Sequence, residues 1–408
     1  MDPAFPLHGP EIMTSGSHRG KPPAASSRSL STRLTHAARD RELTKGGVNP
    51  VIQRASTVLV SSASRLFKPG EWTYGRHGTA THTALREALC EIEDSAHCVL
   101  APSGLMACTI PLLTFARPGG HVLAVDSVYG PTRRFIDRVL SRFGVQATYF
   151  PADIGGAITN LIRPETQVMF VESPGSLTFE VADAPALAKA ARAAGIITVM
   201  DNTWSAGVFH KPLQLGFDVS VQATTKYISG GADVLSGAMY ADDGDIADQL
   251  ENFTRDVGSN VSADDAFTVL RGARSLPLRM QHHQMSAIAV ATWLSDHRHV
   301  ARVFHPALPG AVGHEIWRRD FTGSSGLFSI ALKATDSIRV HAFLDTLDLF
   351  GLGFSYGGFE SLAIHCNPQL KRSAREPDAE EALIRLSIGL EDPSDLIVDL
   401  DEALRQLD

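Results

Sequence analysis

Cysteine is scarce in this 408-residue sequence, and neither its cysteines nor its histidines show a metal-ligand spacing. The four cysteines are Cys90, Cys98, Cys108 and Cys366. They lack C-x-x-C spacing, which argues against a disulfide framework and fits a reducing cytoplasm, where we expect the protein to reside. The sixteen histidines form no H-E-x-x-H or similar pattern. We therefore expect no metal site.

The sequence also lacks an excess of positive charge and a long apolar run. Its formal net charge is -8, and no basic stripe stands out, which disfavours nucleic-acid binding. The longest tempting apolar run, "SAIAVATWL", falls well short of the roughly 18 residues needed to cross a bilayer. We therefore expect neither a nucleic-acid partner nor a transmembrane segment.

Residues 1–30, which begin "MDPAFPLHGPEIMTSGSHRG", mix proline, glycine, serine and histidine without apolar periodicity. They also lack the apolar core of a signal peptide. This composition predicts a disordered tail. A second methionine, Met13, leaves open a vector origin for residues 1–12.

What the sequence has in quantity is an alternation of β-rich and helical stretches, in a chain that is 44% hydrophobic. Between two of the β-rich runs lies "VADAPALAKAARAAG", with the early proline and final glycine that are typical of a helix. The alternation predicts an α/β fold with a mostly parallel sheet, whose ligands gather at the carboxyl ends of the strands. The seven candidate strands are "CVLAP", "HVLAVD", "VQATYF", "QVMFVESPG", "IITVMDN", "DVSVQATTK" and "SGAMYA".

The rhythm changes beyond about Asn260, where a long helical stretch is interrupted only by Gly272 and Pro277. We interpret this stretch as a domain connector. After it, "GLFSIALKA", "LAIHC" and "LIRLSIGLEDPSDLIVDLDEALRQLD" predict a smaller α+β domain that closes with an amphipathic helix. The chain is accordingly divided into an N-terminal arm at 31–78, a large domain at 79–272 and a C-terminal domain at 273–408.

A lysine and an aspartate mark the ends of two of the candidate strands. Lys226 in "QATTKYISGG" and Asp201 after "IITVM" are 25 residues apart, the length of one crossover to a neighbouring parallel strand. Both should face one crevice. Pyridoxal phosphate needs such a pair, a lysine amine to hold its aldehyde as a Schiff base and an acid to keep its ring nitrogen protonated. The alternatives are a solvated turn lysine and an Asx-turn or N-cap aspartate.

A phosphate group is best held at a helix N-terminus, where backbone amides and the helix dipole favour an anion. In "APSGLMACTIPLLTF", Ser103 and Gly104 lie between a predicted strand and a predicted helix. In "WTYGRHGTATHTALREALCEIE", Tyr74 and Arg76 precede another helix, and arginine can grip phosphate bidentately. The alternatives are an ordinary Ser-Gly turn and a surface charge.

With these parts in order, the sequence resembles the Cys/Met-metabolism family of pyridoxal-phosphate enzymes from about Ser31 to its C-terminus. The resemblance implies the aspartate-aminotransferase-like type I fold. It also implies a homotetramer built from dimers with shared active sites, in which the arm contacts a neighbouring subunit. The matching stretches are "VNPVIQRASTV", "YGRHGT", "FVESPGS", "MDNTWSAGVF", "SVQATTKY", "VFHPALPGAVGHEIWRRDFTGSSGLFS", "SYGGFESL" and "LIRLSIGLED".

The resemblance also implies the cofactor site. Lys226 matches the Schiff-base lysine, Asp201 the partner of the ring nitrogen, and Tyr129 the tyrosine stacked on the ring. Lys226 and Tyr129 form the catalytic pair. The residues that match phosphate contacts are the backbone of Gly104 and Leu105, the hydroxyl of Thr225, and Tyr74 and Arg76 lent by the neighbouring subunit.

For the substrate, the resemblance assigns Arg385 to the α-carboxylate, with Ser355 beside it and Tyr74 also in the pocket. Tyr356 in "SYGGFESL" stands where enzymes that cleave at Cγ usually carry leucine and those that cleave at Cβ carry tryptophan or tyrosine. The implied activity is β-elimination of L-cystathionine to homocysteine, pyruvate and ammonia, a step of methionine biosynthesis. The alternatives are γ-lyase, γ-synthase or methionine γ-lyase activity and, from another class, a non-catalytic regulatory protein.

Four positions depart from the family pattern. Gly231 and Ala232 replace a His-Ser pair after the lysine, so contacts near that loop should differ. Ala223 replaces a phosphate-contacting serine that is usual in the γ enzymes, which removes one hydrogen bond. Arg134 stands where some β-eliminating members have an acidic residue, which leaves the distal end of the substrate pocket open.

Overall fold

The computed structural model of the chain describes residues 28–68, 71–333, 336–374 and 381–408. Of the expected tail at residues 1–30, all but the last three residues lie outside this range, so the prediction of disorder stays a prediction. The described part contains no helix with the length and apolarity of a membrane span.

The larger of two sheets has seven strands in the order β1-β7-β6-β5-β4-β2-β3. Only β7 runs antiparallel to its neighbours, so the prediction of a mostly parallel seven-stranded sheet is confirmed. Its central strands are buried along their length, as expected where helices cover both faces. The strands are β1 (His97–Ala101), β2 (His121–Val125), β3 (Gln146–Phe150), β4 (Thr166–Glu172), β5 (Ile197–Asp201), β6 (Val219–Gln222) and β7 (Gly237–Ala241).

Helices pack on both faces of this sheet. The crossover helix between β4 and β5 shows how its sequence sets its ends. Asp183 accepts a hydrogen bond from the backbone N–H of Ala186 at 3.3 Å, Pro185 occupies the first turn, and Gly195 just beyond the helix has φ +68°. The helices up to the end of the large sheet are α1 (Leu30–His36), α2 (Arg41–Thr44), α3 (Ala80–Glu93), α4 (Gly104–Phe115), α5 (Gly130–Arg138), α6 (Ala184–Ala193) and α7 (Gly244–Asp256).

Two helices connect the sheets, α8 (Ala263–Ala273) and α9 (Leu276–Ser295). Pro277 lies in the first turn of α9, where a proline starts a helix without breaking one. The first half of α9 packs into the core beside α3, and its second half packs into the core of the smaller sheet. The predicted connector is therefore a helix shared by both cores, and the proposed boundary at 272/273 falls just before it.

The smaller sheet has five strands in the order β10-β11-β12-β9-β8 and carries α10, α11 and α12. It confirms the predicted smaller α+β C-terminal unit with its closing helix. Its elements are β8 (Val300–Phe304), α10 (His314–Asp320), β9 (Leu327–Leu332), α11 (Ser337–Thr346), β10 (Gly351–Leu352), β11 (Leu362–His365), β12 (Ala382–Ser387) and α12 (Pro393–Leu404).

Candidate active site

Three parallel strands of the large sheet end side by side and define the candidate site. In the register of β4, β5 and β6, Glu172 pairs with Asp201, and Asp201 pairs with Val221. Lys226 follows four residues after Gln222, the last residue of β6. The crossover argument therefore holds, because Asp201 and Lys226 lie at the same edge of the sheet.

Lys226 is held between the two domains. Its Nζ donates a hydrogen bond to Ser355 Oγ at 2.8 Å and lies 4.9 Å from the ring centroid of Tyr356. Burial and the nearby guanidinium of Arg385 lower the pKa of the Lys226 amine to about 8, although the charge of Asp201 acts in the opposite direction. An amine with this pKa is partly neutral near pH 8, as a base or nucleophile must be.

This lowered pKa predicts selective chemistry in the cofactor-free protein. A group is deprotonated above its pKa, so at pH 8 about half of the Lys226 amines are neutral, against well under 1% for a lysine of ordinary pKa. An amine-specific acylating reagent should label Lys226 before the other lysines, with a rate that levels off near pH 9. Peptide mapping by mass spectrometry measures this, and a rate that still rises steeply between pH 9 and 10 would contradict it.

Asp201 is buried, and both of its carboxylate oxygens accept hydrogen bonds. Oδ1 accepts the backbone N–H of Thr203 at 3.0 Å and its hydroxyl at 2.5 Å, while Oδ2 accepts the thiol of Cys108 at 3.4 Å. Burial raises the pKa of Asp201, whereas these donors and the charge of Lys226 favour the carboxylate. The Asx turn considered from the sequence is present, but it occupies Oδ1 alone.

The N-terminus of α4 abuts the lysine loop. Ser103 caps the helix by accepting the backbone N–H of Met106 at 3.2 Å. A Cβ on Gly104 would lie 2.3 Å from the Cβ of Ala223, so only glycine permits this approach. Thr225, expected to contact a phosphate, uses its hydroxyl within the loop, where it donates to the backbone carbonyl of Ser236 at 3.0 Å.

Arg385 and Tyr129 border the same space. Arg385 lies on β12 of the smaller sheet, its Nη2 donates to the carbonyl of Ser355 at 2.8 Å, and its Cζ is 5.9 Å from the Tyr356 ring centroid. Tyr129 lies just before α5 and is 43% exposed. Burial of its hydroxyl raises the pKa of Tyr129, and Arg385 acts on it in the opposite direction.

Tyr74 and Arg76 lie apart from this cluster. Within the described residues, Arg76 donates to the backbone carbonyl of Arg255 at 2.9 Å and sits 5.4 Å from the Tyr74 ring centroid. Tyr74 also meets the His77 ring edge-on at 5.8 Å. Both side chains are exposed, and their place in a phosphate site stays a prediction that requires a second copy of the chain.

Sequence reasoning missed Glu172 and Cys108. Glu172 Oε2 accepts the backbone N–H of Tyr129 at 2.5 Å, next to Asp201 in the sheet. The signal for Glu172 was present, because in "FVESPGS" it ends the strand adjacent to the one that Asp201 ends. Cys108 gave no such signal, since it lies within an apolar helix.

The departures from the family pattern fall at three places, of which Ala223 lies against Gly104 at the start of α4. Ala232 has φ +55°, an unusual value for a residue with a Cβ, and Gly231 lies directly against the Asp233 side chain. The loop after the lysine thus contains a left-handed residue at Ala232. Arg134 is exposed on α5, and its effect on the distal end of the substrate pocket stays a prediction.

The residues at this edge of the sheet fit pyridoxal phosphate. The Gly104 cradle lies at a helix N-terminus, and the buried Asp201 and the low-pKa lysine share one crevice. A family model described as "Cys/Met metabolism PLP-dependent enzyme" matches residues 31–405. The chain belongs to this family. It is therefore a pyridoxal-phosphate-dependent enzyme of sulfur amino acid metabolism.

Individual members of the Cys/Met metabolism family match over nearly the whole chain. "Cystathionine beta-lyase MetC" of Escherichia coli is 43% identical, covering 93% of this chain and 98% of the relative. A "Putative cystathionine beta-lyase" of Rhizobium johnstonii is 44% identical, covering 91% and 95%. The solved cystathionine gamma synthase of Xanthomonas oryzae pv. oryzae, in complex with aminoacrylate and cysteine, has a TM-score of 0.87 at 30% identity, covering 93% and 99%. The type I fold of these enzymes is thus confirmed.

Proposed function

We propose that this enzyme catalyses β-elimination of L-cystathionine, releasing homocysteine, pyruvate and ammonia. The observation that carries the proposal is the Lys226 amine, which has a lowered pKa and lies against Ser355 and Tyr356 in a crevice with Asp201 and Arg385. The names of relatives at 43% and 44% identity support the substrate and the β position.

Each side chain has a defined task in this proposal. Pyridoxal phosphate, when bound, supplies an electron sink for the pair of electrons left at Cα. Asp201 holds a proton at the ring nitrogen, and the backbone of Gly104 and Leu105 holds the phosphate at the start of α4. Thr225 adds a phosphate contact once its hydroxyl turns from Ser236.

Proton transfer at Cα falls to Lys226. Its amine must be neutral to accept the proton, and burial beside Arg385 provides this state near pH 8. Ser355 Oγ, at 2.8 Å from Nζ, fixes the direction of the amine. Arg385 would bind the substrate α-carboxylate, Tyr129 would contact the cofactor ring, and Tyr74 of a neighbouring copy would line the pocket.

Tyr356 favours cleavage at Cβ over cleavage at Cγ. Its ring lies within 6 Å of both cationic groups, Lys226 at 4.9 Å and Arg385 at 5.9 Å, so it would lie beside a substrate bound by these two residues. Elimination at Cγ requires additional proton transfers further along the substrate. A bulky ring between lysine and arginine restricts that movement, whereas the smaller leucine would leave room for it.

Product analysis tests the proposed function. The cofactor-loaded protein is mixed with L-cystathionine, products are identified by mass spectrometry, and free thiol is followed in parallel. Homocysteine plus pyruvate is the expected result. Cysteine plus 2-oxobutyrate would move the enzyme to the γ-lyases, and absence of any product from fully loaded protein would favour the regulatory alternative.

Arg385→Ala should mainly raise KM for L-cystathionine. A charge-assisted hydrogen bond to a carboxylate contributes about 1.5–3 kcal/mol, which corresponds to a rise of about 10- to 100-fold. Steady-state kinetics measures the change. Arg302→Ala is the matched control, because Arg302 lies on the same sheet but pairs with Glu381 at 2.6 Å. An unchanged KM in the Arg385 variant would remove it from carboxylate binding.

We further propose that the active enzyme is a homotetramer, a dimer of dimers, whose sites are shared through the arm at 31–78. Leu59 and Phe67 of the arm are 91% and 89% exposed, and a second copy that covers them would bury this apolar surface. Arg76 and Tyr74, exposed and apart from Lys226, then complete the site of the neighbouring copy.

A complementation experiment tests site sharing. Lys226→Ala and Arg76→Ala chains are each of low activity alone, but a mixed dimer contains one site with both native residues. After unfolding and refolding together in equal amounts, about a quarter of the sites should be native, so activity should recover to about that fraction. Recovery no greater than the sum of the two variants would contradict a shared site.

The domain limits and the location of the protein are also part of this proposal. We propose a cofactor-binding domain at 79–272 and a C-terminal domain at 273–408, which is supported by the separate cores of the two sheets. The four cysteines are all free thiols, which supports a cytoplasmic enzyme. Limited proteolysis near the start of α9 tests the boundary.

A further inference from the structure

Two carboxyl groups lie side by side where β4 and β5 end. Glu172 and Asp201 are partners in the parallel register, and such partners direct their side chains to the same face of a sheet. Asp201 has a task in the proposed function, at the ring nitrogen of the cofactor. Glu172 has none, although it is largely buried in the same crevice.

The contact that Glu172 makes is with the main chain of Tyr129. Its Oε2 accepts the Tyr129 N–H at 2.5 Å, just before the first residue of α5. The same loop is anchored again nearby, where the backbone N–H of Ser176 donates to the carbonyl of Ser127 at 2.7 Å. The end of β4 and the segment after it thus hold the loop after β2. Glu172 holds this loop at Tyr129, whose ring borders the site.

The two carboxyl groups accept different numbers of hydrogen bonds. Asp201 accepts three hydrogen bonds, two from Thr203 and one from Cys108, and it faces the charge of Lys226. Glu172 accepts the single N–H of Tyr129. Two adjacent buried carboxyl groups do not both ionise readily, so the better-solvated one takes the charge.

Burial and the charged groups around Glu172 likewise favour its neutral form over the carboxylate. Burial raises the pKa of Glu172 well above its usual range, and the charges of Asp201 and Glu180 raise it further. The Tyr129 N–H and the guanidinium of Arg372 act in the opposite direction, with less effect than burial and the charge of Asp201. A neutral carboxyl group still offers an oxygen to the Tyr129 N–H.

We infer that Glu172 is a positioning residue, which fixes the main chain of Tyr129 as an uncharged carboxyl group and leaves Asp201 as the anion of the pair. The inference rests on the proposed function for the places of Tyr129 and Asp201 beside the cofactor. The inference adds Glu172 to the residues that shape the cofactor site, and Glu172 acts there by holding Tyr129 in place. It also explains why a second acidic side chain can lie beside Asp201 without competing for the ring-nitrogen proton.

Two substitutions at Glu172 separate the position of the oxygen from its charge. Glu172→Gln keeps an oxygen for the Tyr129 N–H and is always neutral, whereas Glu172→Leu keeps much of the volume and removes the acceptor. Cofactor dissociation constants and the visible circular dichroism of the bound cofactor are measured for the full chain, together with Tm. Tyr129→Ala supplies the reference spectrum for a site without the ring.

The glutamine variant should bind the cofactor within about threefold of the unaltered chain and keep its dichroic band. The leucine variant should bind the cofactor at least about tenfold more weakly, and its dichroic band should approach that of Tyr129→Ala. The double variant with Glu172→Leu and Tyr129→Ala should bind the cofactor no more weakly than Tyr129→Ala alone. Should the leucine variant not fold, Glu172→Asp, which withdraws the acceptor by one methylene, replaces it with the same expected direction.

Three results would overturn the inference. A glutamine variant as weak as the leucine variant would mean that the charge is required. An unaltered leucine variant, or fully additive effects with Tyr129→Ala, would mean that Glu172 does not act through Tyr129. These readouts need cofactor binding alone, so they stay interpretable if L-cystathionine proves not to be the substrate, and failure of one proposal is distinguishable from failure of the other.

Discussion

Lys226→Ala should abolish turnover of L-cystathionine while leaving the chain folded. The substitution removes both the amine that anchors the cofactor and the base that accepts the Cα proton, and a positioned base alone accounts for about 10²- to 10⁴-fold in rate. We expect a loss of at least about 10³-fold in kcat. The fold should survive, because the amine contacts the Ser355 hydroxyl and the Tyr356 ring and lies outside the main core.

Two further variants make this result specific. Lys226→Arg should be as inactive as Lys226→Ala, because a guanidinium stays protonated and cannot form the Schiff base. Lys189→Ala, on the exposed face of α6, should retain full activity. Pyruvate formation and far-ultraviolet circular dichroism are measured on all three. Pyruvate at the native rate from the alanine variant would remove Lys226 from the catalytic role.

Asp201→Asn should cause the second largest loss, about 10²- to 10³-fold in kcat/KM. The amide has nearly the same shape, and its oxygen can still accept the Thr203 N–H, so folding should change little. It carries no charge, however, and cannot keep a proton on the ring nitrogen, which leaves the cofactor a poor electron sink. The effect is therefore electronic, and it should appear mainly in kcat.

The matched control for Asp201 is Asp183→Asn. Asp183 caps α6, and asparagine caps a helix about as well as aspartate, so this variant should lose no more than about twofold. Steady-state kinetics and the absorption spectrum of the bound cofactor provide the comparison. A loss below about threefold in the Asp201 variant would show that its charge is unnecessary and would shift the role to another group.

The sheet and the central pair could be predicted from the sequence because both depend on order along the chain. Each of the seven strands was marked by its own apolar run. Asp201 ends one strand, and its separation from Lys226 matches one crossover, so both were expected at the same edge of the sheet. Such inferences need only the rules for parallel connections. The approach of Gly104 to the lysine loop was expected as a phosphate cradle, but its tightness against Ala223 depends on packing.

Residues that act through contacts distant in sequence could not be predicted in this way. Cys108 meets Asp201 across 93 positions, from a helix turn that reads as ordinary core. Glu172 reaches the Tyr129 amide across 43 positions, and the contact depends on the strand order β5-β4-β2, which sequence periodicity does not specify. Tyr74 and Arg76 were candidate phosphate contacts from the sequence, but their assignment to a neighbouring subunit came from the resemblance alone.

The central claim of this account is that Lys226 is the covalent anchor of the cofactor. The direct measurement is reduction of the cofactor-loaded protein with borohydride, followed by proteolysis and mass spectrometry of the peptides. The account predicts a stoichiometric cofactor adduct on Lys226, in the peptide that contains "QATTKYISGG". An adduct on a different lysine, or a loaded protein with no adduct, would contradict the account.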